Sequence, residues 1–429
     1  MMVARRLLPG LAAGLALAVG AVPSAAACPF CSAQGQTLAG EVNQADFIVL
    51  GTLTNAQRDP NDFTKGTTDL VIDTVVKPHD FLKGKKVVRI PRYVPPDPAG
   101  GATKYLVFCS LYTRPVDFTA SAVTSTLVLG NYDGAVLDAY RGEPVPAGSQ
   151  LAEYLKGAIE VRQKDPIARL RYFFDYLDSP DLVISADALN EFGYADYKEV
   201  RALAEKLPAD KLLKWLKDPN TPPSRFGLYG LMFGHCGKKE DAKAIRELLD
   251  SPDRQFSSGL DGMLAAYLLL DPKAGWDYLV NLLKDPKQEF PVRYAGLKVL
   301  RFLWEMRPDV VPHKQVLEGV RLLVAQSDLA DLPIEDLRKW GCWDQTEYVL
   351  SFADKPSHAN VPIVKRAILR FALAAPPEQA KAKAFVAKAR QQDPEKVKFV
   401  EQTLQDEQPR PAAAQQATTP PAAKPGGSN

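Results

Sequence analysis

"DPKQEFPVRYAGLKVL", residues 285–300, sets an Asp-Pro turn ahead of Pro291, and then Val292, Leu297 and Leu300 recur at helical spacing. A proline in a first helical turn loses no hydrogen bond, because the amide it lacks has no partner there. The stretch predicts one helix ending near Asp285 and another opening at Pro291. Similar punctuation stands at Asp178-Ser-Pro-Asp181, Asp218-Pro-Asn220, Asp250-Ser-Pro-Asp253 and Asp354-Lys-Pro356. From Asp178 through Asp218 and Asp250 to Asp285 the steps are 40, 32 and 35 residues. Asp241–Leu249 and Ala274–Leu283 between these marks are amphipathic at a period near 3.6. Pro223-Ser-Arg-Phe-Gly-Leu228 and Pro362-Ile-Val-Lys-Arg-Ala-Ile-Leu369 open further helices as Pro291 does. Helix pairs repeating at that scale predict an α-solenoid from about residue 165.

This region, roughly 165–405, resembles the HEAT-repeat family, with Val292-Arg293, Leu297 and Leu300 closest to its Val-Arg-x-x-Ala-like second helix. The resemblance implies a curved stack whose accumulated surface binds protein. All five tryptophans, Trp215, Trp276, Trp304, Trp340 and Trp343, fall here. Most fit packing between repeats. Trp340-Gly-Cys-Trp343 breaks the helical pattern and is the expected interaction site.

Upstream the pattern changes to strands. Asp46–Thr54, Thr68–Val76, Lys86–Pro91, Lys104–Tyr112 and Ser125–Leu129 are rich in β-branched and aromatic residues and separated by Gly, Pro and Asn turns. They predict a small barrel or sandwich over 28–148, left through Gly142–Gly148, with a connecting helix in 149–164. Residues 406–429 are Pro/Ala/Gln/Thr-rich without an aromatic and form an expected disordered tail. The expected fold class is therefore multidomain β plus α.

At the amino terminus Arg5 and Arg6 precede an apolar run and Ala25-Ala26-Ala27, the pattern of an export signal removed before Cys28. The run, Leu7–Val22, is interrupted by three glycines and falls short of the roughly 20 residues of a spanning helix. A lipoprotein signal acylated at Cys28 is a minor competing reading. The expected location is extracytoplasmic, with no membrane span in the mature chain. Without residues 1–27 the chain has 51 basic and 51 acidic residues. That balance argues against nucleic-acid binding, which draws its affinity from phosphate neutralisation. Lys83, Lys85, Lys86 and Arg89 read as a solvated hairpin turn around Gly84.

Cys28, Cys31 and Cys109 are the disulfide candidates in an exported first domain. A bridge from Cys28 or Cys31 to Cys109 would close a loop of about 80 residues and stabilise the domain by roughly 2–4 kcal/mol. A local Cys28–Cys31 bridge with Cys109 buried and free is the alternative. The order Cys28, "QADFIVLGTL", "DLVIDTVVKPHDFLKGKKVVRI", "GGATKYLVFC" resembles the netrin-like, OB-fold barrel of tissue inhibitors of metalloproteinases over about 28–140. The resemblance implies a barrel and, at Cys28, a terminal amine and carbonyl able to chelate a protease's zinc. Cys-Pro-Phe-Cys departs from that family's Cys-x-Cys, and three cysteines stand where the animal proteins have six.

No catalytic constellation is legible: nucleophile elbow, zinc-protease helix motif, phosphate-binding loop and dinucleotide fingerprint are all missing. His79, His235, His313 and His358 are scattered, so neither metal nor cofactor is expected. In Gly234-His-Cys-Gly237, adjacent helical residues diverge by about 100°, so His235 is no base for Cys236, and a helix end with a buried Cys is expected. Asp250/Asp253 read as helix caps. The leading expectation is an exported, non-enzymatic protein-binding or scaffold protein. The alternatives are a thiol-disulfide redox protein using Cys28 and Cys31, and a protease-binding module acting through Cys28.

Overall fold

The computed structural model describes residues 28–30, 35–62, 65–95, 103–112, 130–132, 135–251 and 258–407. The expected leader 1–27, Cys31, the strand expected at 125–129, Asp253 and the tail beyond 407 lie outside them.

A one-turn helix, α1 (Leu38–Glu41), precedes six antiparallel strands: β1 (Phe47–Arg58), β2 (Gly66–Lys77), β3 (Val87–Ile90), β4 (Lys104–Tyr112), β5 (Gly130–Tyr132) and β6 (Ala135–Val145). They form one sheet in the order β3-β2-β1-β4-β6-β5. Both faces of its centre are covered. Ile48, Leu50, Leu106 and Phe108 face the helices, while Phe47, Val49, Val107 and Cys109 face a second core completed by Leu70, Val88, Ile90 and Leu137. The register pairs Phe47 with Cys109 and Ile48 with Phe108, so each pair lies on one face. Burial on two sides explains why β1 begins as an unbroken apolar run.

Among the described residues the expected barrel is not closed by hydrogen bonds: β3 and β5 stand at the two ends of the strand order, although β3 approaches β6. Gly142–Val145, the first part of the expected exit, belongs to β6 and pairs with Lys104–Val107. Since β5 pairs only with Ala135–Leu137, β6 is an edge at Pro144, where a sheet tolerates proline.

α2 (Leu151–Val161) buries Leu151, Tyr154 and Leu155 between the sheet and the stack. Sixteen helices follow among the described residues. The first six are α3 (Pro166–Phe174), α4 (Leu182–Gly193), α5 (Tyr197–Ala204), α6 (Ala209–Lys217), α7 (Phe226–Cys236) and α8 (Ala242–Asp250). Next come α9 (Leu260–Leu270), α10 (Pro272–Lys284), α11 (Phe290–Glu305), α12 (His313–Val324) and α13 (Asp331–Lys339). The last are α14 (Thr346–Leu350), α15 (Pro356–Ala359), α16 (Pro362–Ala374), α17 (Ala380–Gln392) and α18 (Pro394–Asp406).

Asp-Pro punctuates this stack in two senses. At 218 and 285 the Asp is the C-cap of α6 and α10. At 165, 271 and 393 it is the N-cap of a helix that opens on the Pro, its carboxylate accepting the amides of Ala168, Ala274 and Lys396 at 3.0–3.1 Å. Pro291 and Pro362 lie in the first turns of α11 and α16 as expected, whereas Pro223 opens a 3-10 turn leading into α7.

The tightest joint pairs α7 with α9. A Cβ on Gly230 would lie 2.8 Å from Gly262 O, and one on Gly262 would collide with Gly227 O. Only glycine lets these backbones approach so closely. Ion pairs then link residues about one period apart: Asp261 to Lys298, Arg293 to Asp328 at 2.5 Å and Arg301 to Asp336 at 2.8 Å. One apolar core runs without interruption from the sheet's inner face through α2 and along the stack.

Candidate binding surfaces

The amino-terminal stretch is seated in the stack. Cys28 is 4% exposed, and its backbone nitrogen donates to Ala195 O just past α4 at 3.1 Å. Phe30, 7% exposed, meets Phe302 of α11 edge-on at 5.1 Å between centroids. Gly227 makes this fit possible, since a Cβ there would lie 2.7 Å from Phe30 O. Further along, Asp187 of α4 accepts the amides of Leu38 and Ala39 at 2.5 and 3.2 Å and the Tyr154 hydroxyl at 2.8 Å. Thr37 donates to Glu191 one turn on. Burial raises both carboxyls above their ordinary range and raises the Tyr154 phenol as well. The groove beside α4, α7 and α11 is thus occupied by the chain itself.

Cys28 is disulfide-bonded, while Cys109, Cys236 and Cys342 are free thiols. The expected bridge to Cys109 is therefore corrected. Cys109 is fully buried on the sheet face that turns away from the helices, and Cys28 belongs to the core on the other face. Burial also pushes the Cys109 thiol far up.

Trp340 caps α13, and Gly341, at φ 68°, turns the chain toward Trp343, which packs on Phe371 at 5.2 Å. Trp340 stacks on Trp304 of α11 at 4.5 Å and 14°, and Trp304 stacks on His313 of α12 at 4.0 Å and 20°. The result is a three-ring pile at the surface, with both tryptophans half-buried and His313 exposed. Its geometry is the offset, near-parallel kind that favours further ring or aliphatic contact. Trp215 and Trp276 are buried as packing residues. Trp340 stands out in the sequence through its broken helical pattern, whereas Trp304 sits at the spacing of a packing residue.

His235 and Cys236 do not act on one another. His235 Nε2 meets the Tyr197 hydroxyl at 3.2 Å, and burial beside Arg307 and Arg201 lowers its pKa to about 3. Cys236 Sγ donates to Phe233 O at 3.8 Å, and burial pushes its pKa up to about 11. They lie where α7 ends, capped by Gly237. Gly84 turns at φ 74°; Lys83 pairs with Asp80 at 2.9 Å and Arg89 with Asp69 at 2.8 Å. Among the described residues no group of three or more His, Cys, Asp or Glu could hold a metal ion, and no helix is long and apolar enough to cross a membrane. No family description, curated protein or solved structure matches this chain.

Proposed function

We propose that this chain is an exported, non-enzymatic interaction protein whose HEAT-like helical stack binds a protein partner and whose netrin-like β domain serves as a second module. The observation that carries this reading is the division of the stack's surface. The groove beside α4, α7 and α11 is filled by residues 28–30 and 35–39, while α11 to α13 present the His313–Trp304–Trp340 pile at the surface. Aromatic anchors of this kind supply much of the energy of protein interfaces. The proposed site is this pile with Trp343 beside it.

The two readings that run through Cys28 need it accessible. Its 4% exposure and its nitrogen's bond to Ala195 O disfavour both zinc chelation and redox turnover. We take Cys31 as the disulfide partner of Cys28, since the other three cysteines are free.

A photo-crosslinking residue at position 313 of the full chain, expressed in its native host, tests the binding surface. A discrete protein adduct from 313, absent when the same probe replaces exposed Lys243, is the expected outcome, and no adduct at 313 overturns the assignment. Export is tested by sequencing the recovered protein's amino terminus. Cys28 is expected, a diacylated Cys28 would reassign the protein to the lipoproteins, and an intact Met1 start would overturn export.

A further inference from the structure

Where α15, α16, α17 and α18 converge, the end of the stack carries a half-open pocket of about 380 Å³. That volume is within the range of small-molecule sites. Its floor is apolar: Leu369 and Val397 are buried, with Phe385 partly buried beside them. Its mouth is cationic. Lys365 of α16, Lys388 of α17 and Lys396 of α18 line it, together with Asp354 and Asp393.

The two carboxylates do not satisfy all three ammonium groups. Asp393 is engaged with its own helix, accepting the Lys396 backbone amide at 3.0 Å. Asp354 approaches Lys388 only to 3.9 Å. Among the described residues Lys365 and Lys396 have no ion-pair partner. An inorganic anion would leave the hydrocarbon floor unused, and a neutral hydrocarbon would leave the charge at the mouth uncompensated. Lysines on flexible stems can close over a negative head while their methylenes cover the tail.

We propose that this cavity binds a medium-chain aliphatic carboxylate, its tail on Leu369, Val397 and Phe385 and its head among Lys365, Lys388 and Lys396. The site is separate from the aromatic pile and independent of the partner-binding role.

Calorimetric titration of the full chain with octanoate tests it, with acetate and 1-octanol as controls. Saturable single-site binding of octanoate is expected, with none for acetate and weaker binding for octanol. Added salt should weaken octanoate binding, because the head is held by charge. Reversing two charges, Lys365→Glu with Lys396→Glu, should weaken binding about tenfold or more. Both lysines are exposed, so the fold survives, which a melting curve checks. Ala389→Phe, which fills the cavity and keeps every charge, should abolish binding and so separate a seated ligand from one adsorbed to surface lysines. Lack of saturable octanoate binding, octanol binding as tightly, or indifference to either variant would overturn the proposal.

Discussion

Asp187 anchors two amides and a phenol in a place where water cannot replace it. Removing its carboxylate leaves those three donors unpaired, and each buried unsatisfied donor costs about 1–3 kcal/mol. Asp187→Ala is therefore expected to lower unfolding free energy by about 3 kcal/mol in urea, and Tyr154→Phe by about 1 kcal/mol. His235 gives a pH dependence of defined sign. Its folded pKa, about 3, lies below the ordinary value of about 6.5. The neutral ring's contribution is present above the unfolded pKa and is lost as pH falls from about 6.5 toward 3, at up to about 1.4 kcal/mol per pH unit. His235→Gln does not titrate there. The stability difference between the two proteins should shrink or reverse across that window and stay constant above it, and parallel curves throughout would refute the linkage. Residue-scale roles were the least legible in sequence. Nothing near Asp187 announces that α1 will dock on it, and Trp304 sits at ordinary helical spacing while the partner that exposes its role lies 36 residues on. Trp340 was legible because a left-handed glycine follows it.

Helices were far easier to read than the sheet's boundary. The helix signals are local: Asp caps, first-turn prolines and apolar recurrence all act within a few residues. A barrel's closure depends on whether two edge strands distant in sequence meet, and Gly142–Val145 carries turn residues within a strand. The face on which Cys109 falls follows from the alternation in "KYLVFC", but the face on which Cys28 arrives is settled only by α4 and α11. The glycine joint of α7 and α9 carries its own prediction. Gly262→Ala gains about 1 kcal/mol of helix propensity, yet overpacking costs about 1–3 kcal/mol, and the collision with backbone rather than a movable side chain places it at the upper end. A lowered melting temperature is expected. Gly142→Ala in β6, where a Cβ meets nothing within 4 Å, should instead be neutral or stabilise by about 0.5–1 kcal/mol.

At the scale of the whole molecule, the sheet and the stack share one core, so they should unfold together. Every tryptophan lies in the helical half, and tryptophan fluorescence should therefore report the same midpoint as the sheet's infrared amide band. Two separated transitions would contradict a shared core. Phe30→Ala removes the plug from the groove and is expected to cost about 3–5 kcal/mol, lowering both signals equally although Phe30 belongs to neither the sheet nor a helix.

The seat of Phe30 also has a history in time. Its partner Phe302 leaves the ribosome 272 residues later, an interval of roughly 15–55 s at ordinary elongation rates. Throughout that interval the stretch around Cys28 has no home, and any protease or acyltransferase that must reach it works before the groove exists. Once α11 has packed over it the stretch is closed to such an enzyme, so the order in which the stack assembles sets when this end of the chain can be reached.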